Sequence, residues 1–86
     1  MQQLIDGILH CTDKVMLNNL LEAILTKAER ENLDKRYMII QELIAGNLTH
    51  REIAKNLGVS IFNVSRGANL LKDKGDIIKR IFNSLL

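Results

Sequence analysis

The sequence is marked first by what it lacks. Its 86 residues include no Pro and no Trp, and aromatic residues make up only 3%. Without Pro, nothing obliges the backbone to break often. With so few aromatics, the 47% hydrophobic content is mostly Leu, Ile, Val and Ala. That composition suits interlocking helices better than an aromatic-lined catalytic pocket. No alternating apolar and polar run is bounded by turn residues, so strands are not indicated. We therefore expect an all-α fold. The single Cys11 excludes an internal disulfide, and a reducing, cytoplasmic setting is its simplest match. No apolar stretch reaches the roughly 18 residues of a membrane span. The N-terminus lacks a basic segment followed by a long apolar one, so no secretory signal is expected. A chain of this length is expected to be one domain with a modest core of its own.

What is present is unevenly placed. The net charge is only +2, yet Thr49 to Lys72 holds Arg51, Lys55, Arg66 and Lys72 against Glu52 alone. A phosphate-facing surface needs such a concentration, although a solvated helix face would carry it too.

Helical spacing recurs along the chain. Leu4, Ile5, Ile8 and Leu9 give one face to a first helix from Gln2 to about His10. Thr12 or Asp13 can cap a second, with Leu17, Leu20, Leu21 and Ile24 on its apolar face. Thr26 and Glu29 form a capping box for a third, running to about Ala45, whose apolar positions include Leu33, Tyr37, Ile40, Leu43 and Ile44. Gly46 closes it. Thr49 and Glu52 form a second capping box, opening a short helix that Gly58 stops. Ser60 can cap the next, from Ile61 to about Asp73. Gly75 is expected to separate that from a last helix capped by Asp76, with Ile77, Ile78, Ile81, Phe82, Leu85 and Leu86 apolar. So wide an apolar face normally meets another chain.

The sharpest pattern runs from Ile53 to Arg66. Two short helices crossing through a tight turn need a small residue at the crossing, and Ala54 supplies it. The turn needs a residue tolerant of positive φ, four positions on, and Gly58 supplies that. The second helix must return an apolar side chain, and Val64 fits. Ile53, Leu57 and Ile61 are expected to complete the small core. In such a helix-turn-helix the second helix enters the major groove. Ser60, Ile61, Phe62 and Ser65 are then candidates for base edges, with Asn69 and Lys72 further along. His50, Arg51 and Lys55 would face the DNA backbone or groove rim. The unit offers few apolar anchors, so low local stability is expected.

The run from Leu25 to Lys72 resembles the tryptophan repressor family. The resemblance rests on Leu25-Thr-Lys-Ala-Glu-Arg30, Arg36-Tyr-Met-Ile-Ile-Gln-Glu-Leu-Ile-Ala-Gly46 and Leu48-Thr-His-Arg-Glu-Ile53. It continues through Leu57-Gly-Val-Ser-Ile61 and Val64-Ser-Arg-Gly-Ala-Asn-Leu-Leu-Lys72. The last piece is the most specific, since a generic helix-turn-helix does not require it. The resemblance implies about six helices in an intertwined homodimer. Residues 1–86 would form a single domain, with dimerisation helices over 1–45 and 76–86 and the helix-turn-helix over 49–73. It also implies a DNA-binding transcriptional repressor of tryptophan-related genes, with L-tryptophan as corepressor. The family's indole lies between two arginines, which correspond here to Arg36 and Arg66. A guanidinium stacks on an aromatic face, and Arg66 can also pair with the ligand carboxylate. Thr26 corresponds to a hydroxyl near that carboxylate, and Gly67 to a small residue beside the ligand. Leu25 and Ala23 correspond to backbone carbonyls near the ligand amine.

The chain departs from the family pattern at several positions. Asn63 stands where a Thr is usual beside the ligand. Leu70 stands where a Ser hydroxyl helps hold the amine, an exchange costing on the order of 1 kcal/mol if nothing replaces it. A related indole ligand is therefore a second possibility. Ala54 and Phe62 also differ, at positions near DNA. Two alternatives stay open on the residues alone. One is a helix-turn-helix protein that binds DNA without a ligand. The other is a helical adaptor binding proteins through Ile77 to Leu86. Enzymatic activity is not expected, because His10 and Cys11 lack the partners a metal site or nucleophile pair requires. No metal and no cofactor beyond the corepressor is expected.

Overall fold

The computed structural model of the chain describes residues 1–84. It is all-helical over that range, with helices α1 (Gln2–His10), α2 (Lys14–Ile24), α3 (Lys27–Ala45), α4 (His50–Leu57) and α5 (Ile61–Asn83). Among the described residues no helix is long and apolar enough to cross a membrane.

The helix ends follow from local chemistry. The Asp13 carboxylate accepts from the Met16 amide at 2.9 Å and starts α2. Thr26 and Glu29 exchange hydrogen bonds at the start of α3: the Thr26 amide donates to the carboxylate at 2.9 Å, and the Glu29 amide to the hydroxyl at 3.1 Å. Thr49 and Glu52 do the same for α4. The Ser60 hydroxyl accepts from the Asn63 amide at 3.2 Å and opens α5. Gly46 and Gly58 take φ of 73° and 65°, left-handed values that strain other residues, and end α3 and α4.

The chain divides into two compact units, one from Met1 to Asn32 and one from Leu33 onward. In the first, Leu4, Ile8, Leu17, Leu20 and Leu21 are half-buried, and Gly7 faces Leu20. The Cys11 thiol donates to the Gly7 carbonyl at 3.4 Å. No described residue of this unit is fully buried. In the second unit α4 packs against α5. The core is Ile39 of α3, Ile53 of α4 and Val64 of α5, flanked by Leu43, Leu48, Ala54, Leu57 and Val59. Tyr37 stacks on Phe82, with centroids 4.8 Å apart and planes at 28°.

One expectation takes a different form and one is corrected. The break expected at Gly75 is a kink at Lys74 (φ −124°, ψ 24°), across which the two expected helices run on as α5. One residue leaves the helical region and Gly75 re-enters it, so the break is a bend. Ile61 is 48% exposed and takes no part in the core; Ile39, Leu48 and Val59 fill that role. Within the helix-turn-helix, Ile53 and Val64 are both 0% exposed and tie α4 to α5. The expected apolar positions Leu85 and Leu86 lie outside the described residues.

Candidate functional site

The helix-turn-helix is held by its own turn. The Val59 amide donates to the Ala54 carbonyl at 3.0 Å and the Gly58 amide to Lys55 at 3.3 Å. Ala54 itself is partly buried and packs against the core. The turn leaves the N-terminal end of α5 outward. Phe62 is 74% exposed there, beside exposed Ser60 and Ile61. His50, Arg51 and Lys55 are exposed on α4, and Lys72 on α5. Ser65 is half-buried. The Ser60 hydroxyl spends a lone pair on its cap but keeps its hydrogen to donate. Glu52 sits among these cations as an ionised cap. Hydrogen bonds from the Thr49 amide and then its side chain hold the Glu52 carboxyl below its usual pKa.

Behind α5 lies a cleft of about 400 Å³, within the size range of small-molecule sites. Its walls are Arg36, Ile39 and Ile40 from α3, and Asn63, Arg66, Gly67, Asn69, Leu70 and Asp73 from α5. Gly67 fixes how closely the helices approach. A Cβ there would stand 3.1 Å from Leu43 Cδ1, 3.2 Å from Ile39 Cγ2 and 3.3 Å from Ile40 Cδ1. The floor is therefore aliphatic and the rim carries guanidinium groups. Such a cleft suits a flat apolar body with a polar end: two cations can stack on it, and one can pair with an anion.

Five residues expected around a ligand thus line one cleft: Arg36, Asn63, Arg66, Gly67 and Leu70. Asn69, grouped with the DNA-facing residues, lines it too. Thr26, Leu25 and Ala23 belong to the first unit. There Thr26 caps α3, and the Leu25 carbonyl accepts from Arg30 Nη1 at 3.4 Å. Two residues were missed from sequence. Ile39 was passed over because the stripe through Leu33, Tyr37 and Ile40 was read as the apolar face; its spacing of four from Leu43 was the available signal. Asp73 was read only as a helix end, although it falls on the same α5 face as Arg66 and Leu70.

The geometry agrees with what the comparisons find. The family model described as "Trp repressor protein" matches residues 1–86. A "Trp operon repressor homolog" of Vibrio vulnificus is 40% identical over 85 residues, covering 99% of this chain and 83% of that protein. The chain belongs to the Trp repressor family. A "Trp operon repressor homolog" of Vibrio cholerae is 35% identical over 85 residues, 99% of this chain and 82% of its own. One of Chlamydia caviae is 52% identical over 48 residues, 56% of this chain and 48% of its own. This family consists of DNA-binding regulators rather than enzymes, and the all-helical fold with its helix-turn-helix accords with it.

Proposed function

We propose that this Trp repressor family member is a cytoplasmic homodimer that binds operator DNA and is switched on by L-tryptophan. Its targets on this reading are tryptophan-related genes. The observation that carries the ligand assignment is the cleft, in which Arg36 and Arg66 share an aliphatic floor with Ile39 and Ile40. An indole stacks between the two guanidinium groups while Arg66 takes the carboxylate. Exposed Phe62, Ile61 and Ser60 at the tip of α5 face bases, and His50, Arg51 and Lys55 face phosphates. Pairing of two copies is supported by the apolar surface one chain leaves open. Leu9, Val15, Ile24, Leu33, Ile77 and Ile81 are all exposed, while only three described hydrophobic residues are buried.

The switch follows from where the cleft lies. α4 and α5 pack as one head, and that head meets α3 through the side chains around Gly67. A ligand between α3 and α5 sets the angle of the head. Two heads of a dimer must fit successive major grooves about 34 Å apart, so the angle decides binding. Ligand shifts the equilibrium only by its preference for the competent angle. The test is calorimetry of L-tryptophan with the protein alone and with its selected operator. Linkage requires operator to tighten ligand binding by the factor with which ligand tightens operator binding. Equal affinity in both titrations refutes the switch.

A further inference from the structure

We propose that Asp73 is the counter-ion for the ammonium group of the ligand in the α3–α5 cleft, an inference that rests on the amino-acid reading above. The cleft carries both signs of charge. Arg36 and Arg66 supply the cations, and Asp73 is its single carboxylate. Asp73 is exposed, and its side chain lines the cleft. Helical side chains lean toward the N-terminal end of their helix, which tilts Asp73 over Leu70 and into the cleft.

The spacing suits a zwitterion. Arg66 and Asp73 are seven residues apart on one face of α5, roughly 10 Å along the axis at 1.5 Å per residue. The long Arg66 side chain closes part of that distance. The remainder accommodates an adjacent carboxylate and ammonium, each held by a charged hydrogen bond of roughly 2.8 Å. Other acceptors for the ammonium are poor. Leu70 has no polar side-chain atom, and Asn63 and Asn69 offer the cleft only neutral amide oxygens. A carboxylate one turn beyond Leu70 supplies what the leucine withholds.

The chain makes the experiment simple, because it contains no Trp and one Tyr, so indole fluorescence reports the ligand alone. The full-length protein and its Asp73→Asn variant are titrated with L-tryptophan, tryptamine and indole-3-propionate. Tryptamine keeps the ammonium and lacks the carboxylate; indole-3-propionate does the reverse. Asp73→Asn is expected to weaken L-tryptophan and tryptamine about tenfold or more, as loss of a charged hydrogen bond implies. Binding of indole-3-propionate is expected to stay equal or tighten. Equal affinities in variant and parent, or equal losses for all three ligands, overturn the role of Asp73 and leave the tryptophan reading standing. A parent protein that binds none of the three overturns both. Because Asp73 is exposed, the variant's helical circular dichroism and melting temperature are expected to match the parent's; a collapse of either would assign Asp73 to structure and refute the proposal.

Discussion

Gly67 lies so close to Ile39 that a Cβ added to the glycine would stand 3.2 Å from Ile39 Cγ2. Ile39 is 2% exposed and cannot swing away. Leu43 and Ile40 crowd the same point, at 3.1 and 3.3 Å. Gly67→Ala therefore requires three packed side chains to give by a few tenths of an ångström at once. Overpacking of this kind costs about 1–3 kcal/mol, against a gain of about 1 kcal/mol in helix propensity. The expected result is a net loss of about 1 kcal/mol and weaker ligand binding. Gly75 is the internal control, because a Cβ there meets nothing within 4 Å. Gly75→Ala is expected to raise stability by up to about 1 kcal/mol. Urea unfolding of both variants checks the opposite signs. Two losses of equal size would refute the close-approach argument.

The two capping boxes make stability depend on pH in a defined direction. Glu29 and Glu52 both have pKa values lowered from 4.5, each by the amide and then the hydroxyl of its Thr partner. A carboxyl with a depressed folded pKa contributes stability that is present above its unfolded value. That contribution is lost as pH falls through the lower, folded value. Melting temperature is thus expected to fall between about pH 4.5 and the lowered pKa, with little change from pH 5 to 7 from this source. Glu52→Gln is expected to flatten part of that slope. Thr49→Ala removes the cap itself and is expected to cost about 1 kcal/mol at neutral pH. Melting curves from pH 3 to 7 on the three proteins check this.

The helix ends were legible in the sequence because capping is a local code. Thr26 with Glu29, Thr49 with Glu52, Asp13, Ser60, Gly46 and Gly58 each act within three or four residues of themselves. The break near Gly75 was legible too, but not its form: a glycine can end a helix or merely bend one, and here the backbone bends at Lys74. Ile61 was misplaced for a related reason. Its spacing from Leu57 fits a core position, but the turn at Gly58 resets the helical phase, and Val59 takes the inward direction. For the cleft, Arg36, Arg66, Gly67, Asn63 and Leu70 could be named from the family pattern. Asp73 could not, since its relevance arises only from the way α5 faces α3.

Arg36 and Arg66 are assigned unequal work, and kinetics or calorimetry can separate them. On the proposed reading Arg36 only stacks, so Arg36→Ala is expected to cost about 0.5–2 kcal/mol of L-tryptophan affinity. On the same reading Arg66 stacks and also pairs with the carboxylate, which would add roughly 1.5–3 kcal/mol. Arg66→Ala is therefore expected to lose more than Arg36→Ala for L-tryptophan. For tryptamine, which lacks the carboxylate, the two losses are expected to converge. Arg66→Lys is not expected to restore affinity, because an ammonium keeps the charge but loses the planar fork and stacking face. Full rescue by Lys would show that Arg66 acts as a point charge alone.

Exposed Leu9, Val15, Ile24, Ile77 and Ile81 predict that the chain's stability depends on its own concentration. If two copies cover these faces, unfolding and dissociation are linked, and melting temperature rises with protein concentration. A hundredfold dilution is expected to lower it by several degrees. Ile77→Lys and Ile81→Lys place charge on the face and are expected to shift sedimentation toward the monomer with loss of helical signal. A melting temperature independent of dilution, with a monomeric sedimentation profile, would contradict the dimer.

On DNA, the exposed cations and the exposed aromatic are expected to fail in different ways. Lys55 and Arg51 lie on α4 and are assigned to phosphates, whose neutralisation releases counterions regardless of sequence. Lys55→Ala is expected to weaken all DNA similarly and to reduce the slope of log affinity against log salt by about 1 per site contacted. Phe62 carries no charge, so Phe62→Ala is expected to leave that slope unchanged. Its ring, 74% exposed at the tip of α5, can contact the C5-methyl of thymine in the major groove. Phe62→Ala is accordingly expected to relax discrimination at one base position of the selected operator, with a loss of about 1–3 kcal/mol for the preferred base and little for its competitors. Replacing that thymine with uracil should reproduce the loss in the parent protein and have no further effect in the variant. Salt titrations over a panel of single-base operators read both quantities at once. A changed salt slope in Phe62→Ala, or an unchanged base preference, would place the ring away from the groove.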